Sequence, residues 1–341
     1  MILTRKLFVF IIIFVMLSVE SLAQDIHFSQ YYNSPLNLNP AQAGMFREDT
    51  RLIANVRQQW AAVPVDYLTF SGSLDKKLNF PKIKHSFFTS GAIFNYDRAG
   101  DSKMTLFQLA FNGSYVKKIG ELNLISVGAQ IGFRSRYFED KSLTFDQQFD
   151  GFAFNPNAAT GENFNNYSTL LLDFGVGINY RMQLKDKRSH MDFGFGLFHP
   201  QEPKVNFLND ASNLYSRKVY HVLTTFKIAK KWDVLTHVGG QAQGPFNAFF
   251  LSHFYRVYLT QNKYAHKAFQ FGATYRFAER EDAIVATVEF HTARIRLGLS
   301  YDITLSQFKI ANGGRGGPEV SVQYLITSVK ALKSSKSCPI F

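Results

Sequence analysis

Hydrophobic and polar residues alternate along most of the chain with a period of two. In residues 172–181, one set of alternate positions is apolar and the other holds Asp, Gly, Gly, Asn and Arg. A helix would scatter these positions around its circumference, whereas a strand sorts them onto two faces. The pattern predicts about fourteen strands, at residues 50–58, 65–75, 87–95, 104–117, 122–137, 169–181, 189–198, 219–229, 231–243, 246–258, 267–277, 283–290, 293–302 and 319–328.

The lengths of these segments and of their connections indicate a membrane protein. Most segments match the roughly 9–11 residues of a transmembrane strand, whereas strands of soluble sheets most often have about 5–6 residues. The longest predicted connections, 138–168, 199–218 and 303–318, follow odd-numbered strands, and the clearest tight turns, at 118–121, 230–231 and 291–292, follow even-numbered ones. Outer-membrane barrels with periplasmic termini have long extracellular loops and short periplasmic turns. The sequence therefore predicts an all-β, transmembrane, antiparallel up-and-down β-barrel of about fourteen strands, with periplasmic N- and C-termini. A soluble β-sandwich is the less favoured alternative.

The N-terminus has the composition of a secretory signal. Arg5 and Lys6 precede an apolar run at residues 7–17, and the small residue Ala23 follows. This run is too short for the roughly 20 residues of a membrane-spanning helix, so a cleaved signal peptide is favoured over an uncleaved anchor. The predicted divisions are a signal peptide at 1–23, an N-terminal leader at 24–49, an outer-membrane barrel at 50–328 and a basic tail at 329–341.

The leader does not fit the period of a strand or a helix. Two prolines interrupt it, and proline disfavours both helix interiors and central strands. Its aromatic residues favour an ordered periplasmic or lumenal segment over a flexible lead-in, because few such segments stay solvated. We therefore predict that the leader docks onto the barrel or onto a partner. The residues predicted to bind a partner are Phe28, Tyr31, Tyr32, Pro35, Asn39, Pro40, Arg57 and Trp60.

Alternation also predicts which residues face the lumen. The lumen-facing basic residues are predicted to be Arg134, Arg136, Arg181, Arg276, Arg294 and Arg296. These charges either pair with acids and water or form a basic lumen that receives an anionic ligand or a peptide carboxylate. The apolar face would contact lipid, so Val176→Arg should be costly and Gly177→Ser, on the inner face, much milder.

Composition limits the chemistry. Lys and Arg number 38 and Asp and Glu 26, but the basic residues are scattered without a recognition motif, so no nucleic-acid partner is predicted. The single cysteine, Cys338, excludes a disulfide scaffold and a cysteine-based zinc site. Glu289 and His291 share a strand face without a third metal ligand, and no G-x-S-x-G motif occurs. We therefore predict no catalytic site, no metal, no cofactor and no enzymatic activity.

The two ends of the mature chain resemble those of a known family. Residues 25–44 and the motif at 57–60 resemble the start of PorP/SprF-type proteins of the Bacteroidota. The glycine-rich segment 313–319 and the Cys-Pro-x-Phe terminus at 338–341 resemble the end of these proteins. An SprF-like member is the favoured assignment, and the resemblance covers the whole mature chain.

This resemblance implies a non-enzymatic outer-membrane component of the type IX secretion system, in some species tied to gliding motility. SprF-like members are associated with export and attachment of a large secreted adhesin that carries a type B C-terminal domain. PorP-like members are associated with periplasmic ring and motor components. The implied partners are thus the adhesin, periplasmic and outer-membrane components of the system, and outer-membrane lipid. A diffusive porin or fatty-acid channel is the alternative function.

Overall fold

The computed structural model describes residues 25–59, 67–78, 80, 83, 85–100, 102–138, 143–161, 168–186, 188–207, 210–260, 266–278, 282–306 and 309–327. The predicted signal peptide at 1–23, Trp60 and the basic tail at 329–341 lie outside these residues. Among the residues described, no helix is both long enough and apolar enough to span a membrane.

In the described part of the chain, fourteen antiparallel strands form one closed barrel, whose first strand pairs with its last. The barrel strands are β1 (Thr50–Gln59), β2 (Tyr67–Leu78), β3 (Ser86–Ala99), β4 (Met104–Ile119), β5 (Asn123–Tyr137), β6 (Ser168–Gln183), β7 (His190–Phe198), β10 (Arg217–Lys227), β11 (Trp232–Gln243), β12 (Phe246–Thr260), β13 (Lys267–Ala278), β14 (Ala283–His291), β15 (Ile295–Thr304) and β16 (Arg315–Ile326). Each pairs with its neighbours along the chain, as an up-and-down barrel requires. The predicted all-β, antiparallel up-and-down barrel of about fourteen strands is confirmed.

A small hairpin inside one connection was not predicted. Strands β8 (Lys204–Phe207) and β9 (Asp210–Asn213) pair with each other between β7 and β10 and form a separate two-stranded sheet. Four residues are too few for a period of two to be distinguished from chance.

The barrel wall exposes its apolar face and buries its polar face. On β4, Gln108 and Asn112 are buried towards the lumen, whereas Phe111 and Tyr115 are exposed on the outside. A soluble barrel would show the opposite arrangement, with apolar residues inside. The outward apolar surface is the one that lipid covers in a transmembrane barrel.

The connections differ in length between the two ends of the barrel. The three longest, 138–167, 199–216 and 305–314, share one end, which we term the long-loop end. Tight connections such as 120–122 and 228–231 lie at the other end, which we term the short-turn end. Which end faces the cell exterior remains a prediction.

The core of the molecule lies inside the barrel and is formed largely by the leader. We term residues 25–45 the leader plug, because nearly all of their side chains are buried in the lumen. The plug contains helix α1 (Pro35–Leu38), flanked by 3₁₀ turns at Tyr31–Asn33 and Pro40–Gln42. Each proline begins a short helical turn, where the missing amide hydrogen costs no intrahelical bond.

Candidate functional site

The leader plug runs through the lumen from one end of the barrel to the other. Its first described residue, Asp25, accepts or donates bonds to residues at the long-loop end, including Gln243 at the end of β11 (Asp25 N to Oε1, 3.0 Å). Near its other end, the amide of Gly44 donates to Asp75 Oδ2 at 2.9 Å, close to the short-turn end. Asp25 and the start of β1 therefore lie at opposite ends of the barrel, whereas the predicted topology has both at the periplasmic end.

A buried charge cluster holds Asp25. His199 Nε2 lies 2.6 Å and Arg217 Nε 3.2 Å from its carboxylate, and Arg134 also pairs with it. Asp173 completes the cluster by pairing with both His199 and Arg134. Burial opposes ionisation of Asp25, but the positive charges around it hold the pKa of its carboxyl well below the usual value. The first residues of the plug are thus fixed to four strands or strand ends of the wall.

A second cluster joins the plug to the last two strands. The backbone amides of Ser29 and Gln30 donate to the two carboxylate oxygens of Glu319 at 2.7 and 2.9 Å. Asp302 accepts from Ser29 Oγ and from Arg57 Nη2, each at 2.9 Å. Hydrogen bonds to charged groups contribute about 1.5–3 kcal/mol each when buried. Arg57, predicted to bind a partner, thus lies in the lumen and stabilises the plug.

The three aromatic residues singled out from the leader sequence all face the barrel wall. Phe28 and Tyr31 are buried, and the Tyr31 hydroxyl lies 3.2 Å from Ser252 Oγ. The Tyr32 hydroxyl donates to Glu289 Oε1 at 2.9 Å. Fully burying a large apolar side chain stabilises a fold by about 1.5–3 kcal/mol. These contacts favour the lumenal reading of the leader over the periplasmic or flexible readings.

The proline-containing half of the plug is held by hydrogen bonds between side-chain amides and main-chain groups. Asn39 Nδ2 donates to the carbonyl of Ile178 at 2.9 Å, and its Oδ1 accepts from the amide of Ala41 at 2.9 Å. The carbonyl of Pro40 accepts from Asn112 Nδ2 at 3.2 Å. Because Asn39 bonds both the wall and the following turn, it fixes the orientation of the turn relative to β6.

Inward-facing glycines make room for the plug. A Cβ atom at Gly177 would lie 1.9 Å from Asn39 Oδ1, and one at Gly128 would lie 2.5 Å from the carbonyl oxygen of Pro40. Such contacts are well inside van der Waals distance. This relation was not predicted from the sequence. Because the plug occupies the space beside Gly177, the Gly177→Ser substitution, which was predicted to be mild for the barrel, is expected to disturb the plug. The signal available in the sequence was the recurrence of glycine on inward positions of neighbouring strands.

Three of the predicted lumenal arginines are paired with acids. Arg134 belongs to the Asp25 cluster described above. Arg181 Nε lies 2.7 Å from Asp192 Oδ1, and Arg276 Nη1 lies 3.2 Å from Asp302 Oδ2. These pairs agree with the reading in which lumenal charges neutralise one another.

The other three arginines predicted to face the lumen lie in different environments. Arg136 is buried on the inward face of β5, and Arg296 is partly buried on β15 opposite His291. Arg294 is exposed in the turn between β14 and β15, so its predicted lumenal position is wrong. The strand begins at Ile295, and the alternation used to orient Arg294 does not extend into the turn.

The side chains of this site are arranged to bind the plug. His291 Nε2 contacts Glu289 Oε2 at 2.7 Å, and this carboxylate group also accepts from Tyr32. In the part of the chain that the structure describes, no group of three or more His, Cys, Asp or Glu side chains is placed to hold a metal ion. Several polar side chains of the lumen, among them Glu289, Glu319 and Asn112, make hydrogen bonds that hold the plug.

The fold is similar to that of outer-membrane channels. A deltaS2 mutant of the TodX monoaromatic hydrocarbon channel has 8% identity, with 87% of this chain and 94% of that chain covered, at a TM-score of 0.51. The CymD monoaromatic hydrocarbon channel has 9% identity, with 89% and 95% covered, at a TM-score of 0.50. At this identity the similarity concerns the fold alone. No curated protein matches the chain.

A match to a family model identifies the chain more specifically than the similarity of fold does. The model for the type IX secretion system membrane protein PorP/SprF matches residues 20–324. The match includes the leader plug and the barrel strands from β1 to most of β16. Together with the closed fourteen-stranded barrel, this match establishes that the chain belongs to the PorP/SprF family and is an integral outer-membrane β-barrel of the type IX secretion system.

Proposed function

We propose that this barrel anchors, or helps to export, a large surface adhesin that carries a type B C-terminal domain. Membership of the family supports a role among type IX secretion components. The leader and the C-terminal motif resemble PorP/SprF-type proteins, and the SprF-like assignment that the sequence favours supports the choice of an adhesin as the partner. In this role the barrel also contacts periplasmic and outer-membrane components of the system, and its outer face contacts outer-membrane lipid. In species that glide, this role would tie the barrel to gliding motility.

The observation that carries the proposal is the occupied lumen. Gln30, Leu36 and Asn39 are fully buried inside the barrel, and the plug is bonded to strands on opposite sides of the wall. An interior filled by the protein's own chain does not provide a water-filled path for solutes. A closed barrel instead presents a rigid, membrane-anchored platform, and rigid elements are suited to holding a partner.

One observation favours the alternative of a channel for small apolar molecules. A small, partly open pocket of about 30 Å³ lies between the plug and strands β10–β12. Phe28, Leu38, Val219 and Phe250 contribute to its lining, and Arg217 adds one cationic group. Ligand pockets are often apolar with a few polar groups. Passage across the membrane would still require the plug to move, so we favour the anchoring role.

Two measurements on the mature protein separate these functions. Copurification from native membranes should recover an adhesin with a type B C-terminal domain, and planar bilayers containing the purified barrel should show no steady conductance. Steady conductance without adhesin would support the channel. Recovery of periplasmic ring and motor components, without adhesin, would indicate a PorP-like role and contradict the anchoring proposal.

A further inference from the structure

The longest connection presents exposed aromatic side chains. Residues 145–157, which we term the Phe loop, lie within the connection between β5 and β6 at the long-loop end. Phe149, Phe152 and Phe154 are 55%, 98% and 46% exposed. Exposed aromatic groups of this size on a loop often mark a site of protein contact, because water solvates them poorly.

The tip of the Phe loop is held in one conformation by its own hydrogen bonds. Asp150 Oδ1 accepts from the amides of Phe152 and Ala153, each at 2.8 Å. These backbone hydrogen bonds lower the pKa of the Asp150 carboxyl, so it stays ionised at neutral pH. Gly151 has a φ of 98°, which other residues rarely adopt. Phe149 and Phe154 pair across the turn in an antiparallel bridge.

The base of the Phe loop is ordered in the same way. Gln148 is buried, its Oε1 accepts from the amide of Phe145 at 3.0 Å, and its backbone carbonyl accepts from the amide of Asn155 at 2.8 Å. The Gln148 amide nitrogen donates to the carbonyls of Pro156 and Ala158, each at 3.4 Å. The loop therefore presents its phenylalanines without needing to be ordered on binding, which lowers the entropic cost of association.

The charges of the loop indicate the kind of surface that it fits. Asp146 and Asp150 are exposed beside the phenylalanines, and residues 143–161 contain no Lys or Arg. Anionic lipid surfaces attract basic segments, so this acidic loop is a poor match for them. An apolar pocket on a protein, bordered by basic side chains, matches both the aromatic and the acidic groups.

We propose that the Phe loop docks into an apolar, basic-rimmed pocket on the C-terminal domain of the anchored adhesin, with Phe152 as the central contact. This inference rests on the proposed function for the identity of the partner. A central aromatic residue flanked by two others is the arrangement in which one side chain carries much of the binding energy.

The test measures binding of the purified adhesin C-terminal domain to the full mature barrel. Phe152→Ala should raise the Kd about tenfold or more, Phe152→Trp should bind like the wild type, and Asp146→Lys should weaken binding and reduce its dependence on salt. Ile310→Ala is the matched control, because Ile310 is 92% exposed in a different long connection. It should leave the Kd unchanged. All variants should keep the heat-modifiable barrel, since these side chains are exposed.

The outcomes are distinguishable. If the wild-type barrel does not bind the adhesin domain, the proposed function is wrong, and the adhesin is then also wrong as the partner of the Phe loop. If wild type binds and Phe152→Ala binds equally well, only the Phe loop proposal is overturned. Tryptophan fluorescence of Phe152→Trp should shift to the blue with the adhesin domain and not with vesicles of lipopolysaccharide and phospholipid. A shift with the vesicles alone would assign the loop to the membrane surface and overturn the proposal.

Discussion

Single inward-facing atoms decide whether the leader plug fits in the barrel. Gly177→Ser adds a Cβ and a hydroxyl at a point 1.9 Å from Asn39 Oδ1. Overpacking of this kind costs about 1–3 kcal/mol. We expect the wall to remain intact while the plug loses affinity for it, since the clash is with the plug side chain. Faster hydrogen exchange of the amides in residues 25–45 would report this change.

A matched control for Gly177→Ser is available on the outer face. A Cβ atom at Gly113 would have its nearest neighbour, the carbonyl oxygen of Thr89, at 3.9 Å. Gly113→Ala should therefore leave hydrogen exchange of the plug unchanged. Equal protection in wild type and Gly177→Ser would show that the plug does not rest against β6 at this position.

A carboxylate at the other side of the lumen holds two plug amides. Glu319→Gln replaces one of the two oxygens that accept from the amides of Ser29 and Gln30 by a hydrogen-bond donor. We expect plug docking to weaken by about 1–3 kcal/mol. Limited proteolysis within residues 25–45 should become faster than in wild type. Glu121→Gln, at an exposed turn, is the control and should not alter the cleavage rate.

At the scale of the element, the strand faces predict how substitutions act on insertion. Val176 is 48% exposed on the outer face of β6. Val176→Arg should destabilise the barrel by about 2–4 kcal/mol if the position lies near the bilayer midplane. Urea titration of the folded, heat-modifiable form measures this loss. Val176→Ile keeps the apolar surface and should unfold like wild type, so similar losses in both variants would contradict the assignment of the face.

The plug as a whole is expected to close the barrel. Replacing Tyr31 and Tyr32 together by Ala removes the contacts of their hydroxyls with Ser252 and Glu289, together with one buried and one partly buried ring. No strand is altered, so the barrel should still insert into the membrane. We expect the double variant to show conductance in planar bilayers where wild type shows none. Loss of the inserted barrel would instead mean that the plug is required for the wall to fold.

The strands could be predicted from the sequence because the alternation that indicates each strand lies within that strand. The alternation in 172–181, for example, specifies β6 without reference to any other segment, and only its ends shift in the structure. Turn residues lack this signal, which is why Arg294 was assigned to the wrong environment. The four-residue strands of the β8–β9 hairpin were also missed, because they are too short to show a clear alternation.

The position of the plug could not be predicted in this way. Its irregular backbone has no period, and its bonding partners are remote in sequence, as with Ser29 and Glu319. Composition suggested an ordered segment but gave no means of choosing between periplasm, partner and lumen. The inward glycines held that information only in combination with the register of the strands, since Gly128 and Gly177 face each other across β5 and β6.

For the whole molecule, the unequal connection lengths predict its orientation in the membrane. Cysteine substitutions in the connections 138–167, 199–216 and 305–314 should react with impermeant thiol reagents on intact cells. Substitutions at Gly120 or Lys231, in turns at the short-turn end, should react only after the outer membrane is permeabilised. Labelling that is equal at both ends, or reversed, would contradict the predicted orientation.

The bonds between the plug and β16 also set an order of events in biogenesis. A secreted chain emerges N-terminus first, so residues 25–45 are translocated long before the strand that carries Glu319, which is 290 residues from Ser29. During that interval the aromatic side chains of the plug have no wall to cover them, and unprotected segments of this kind tend to aggregate. Periplasmic chaperones that shield aromatic segments should therefore matter more for this barrel than for one with an empty interior. The seam between β1 and β16 and the final bonds of the plug form at the same late step, so a locked plug reports that the barrel has been completed.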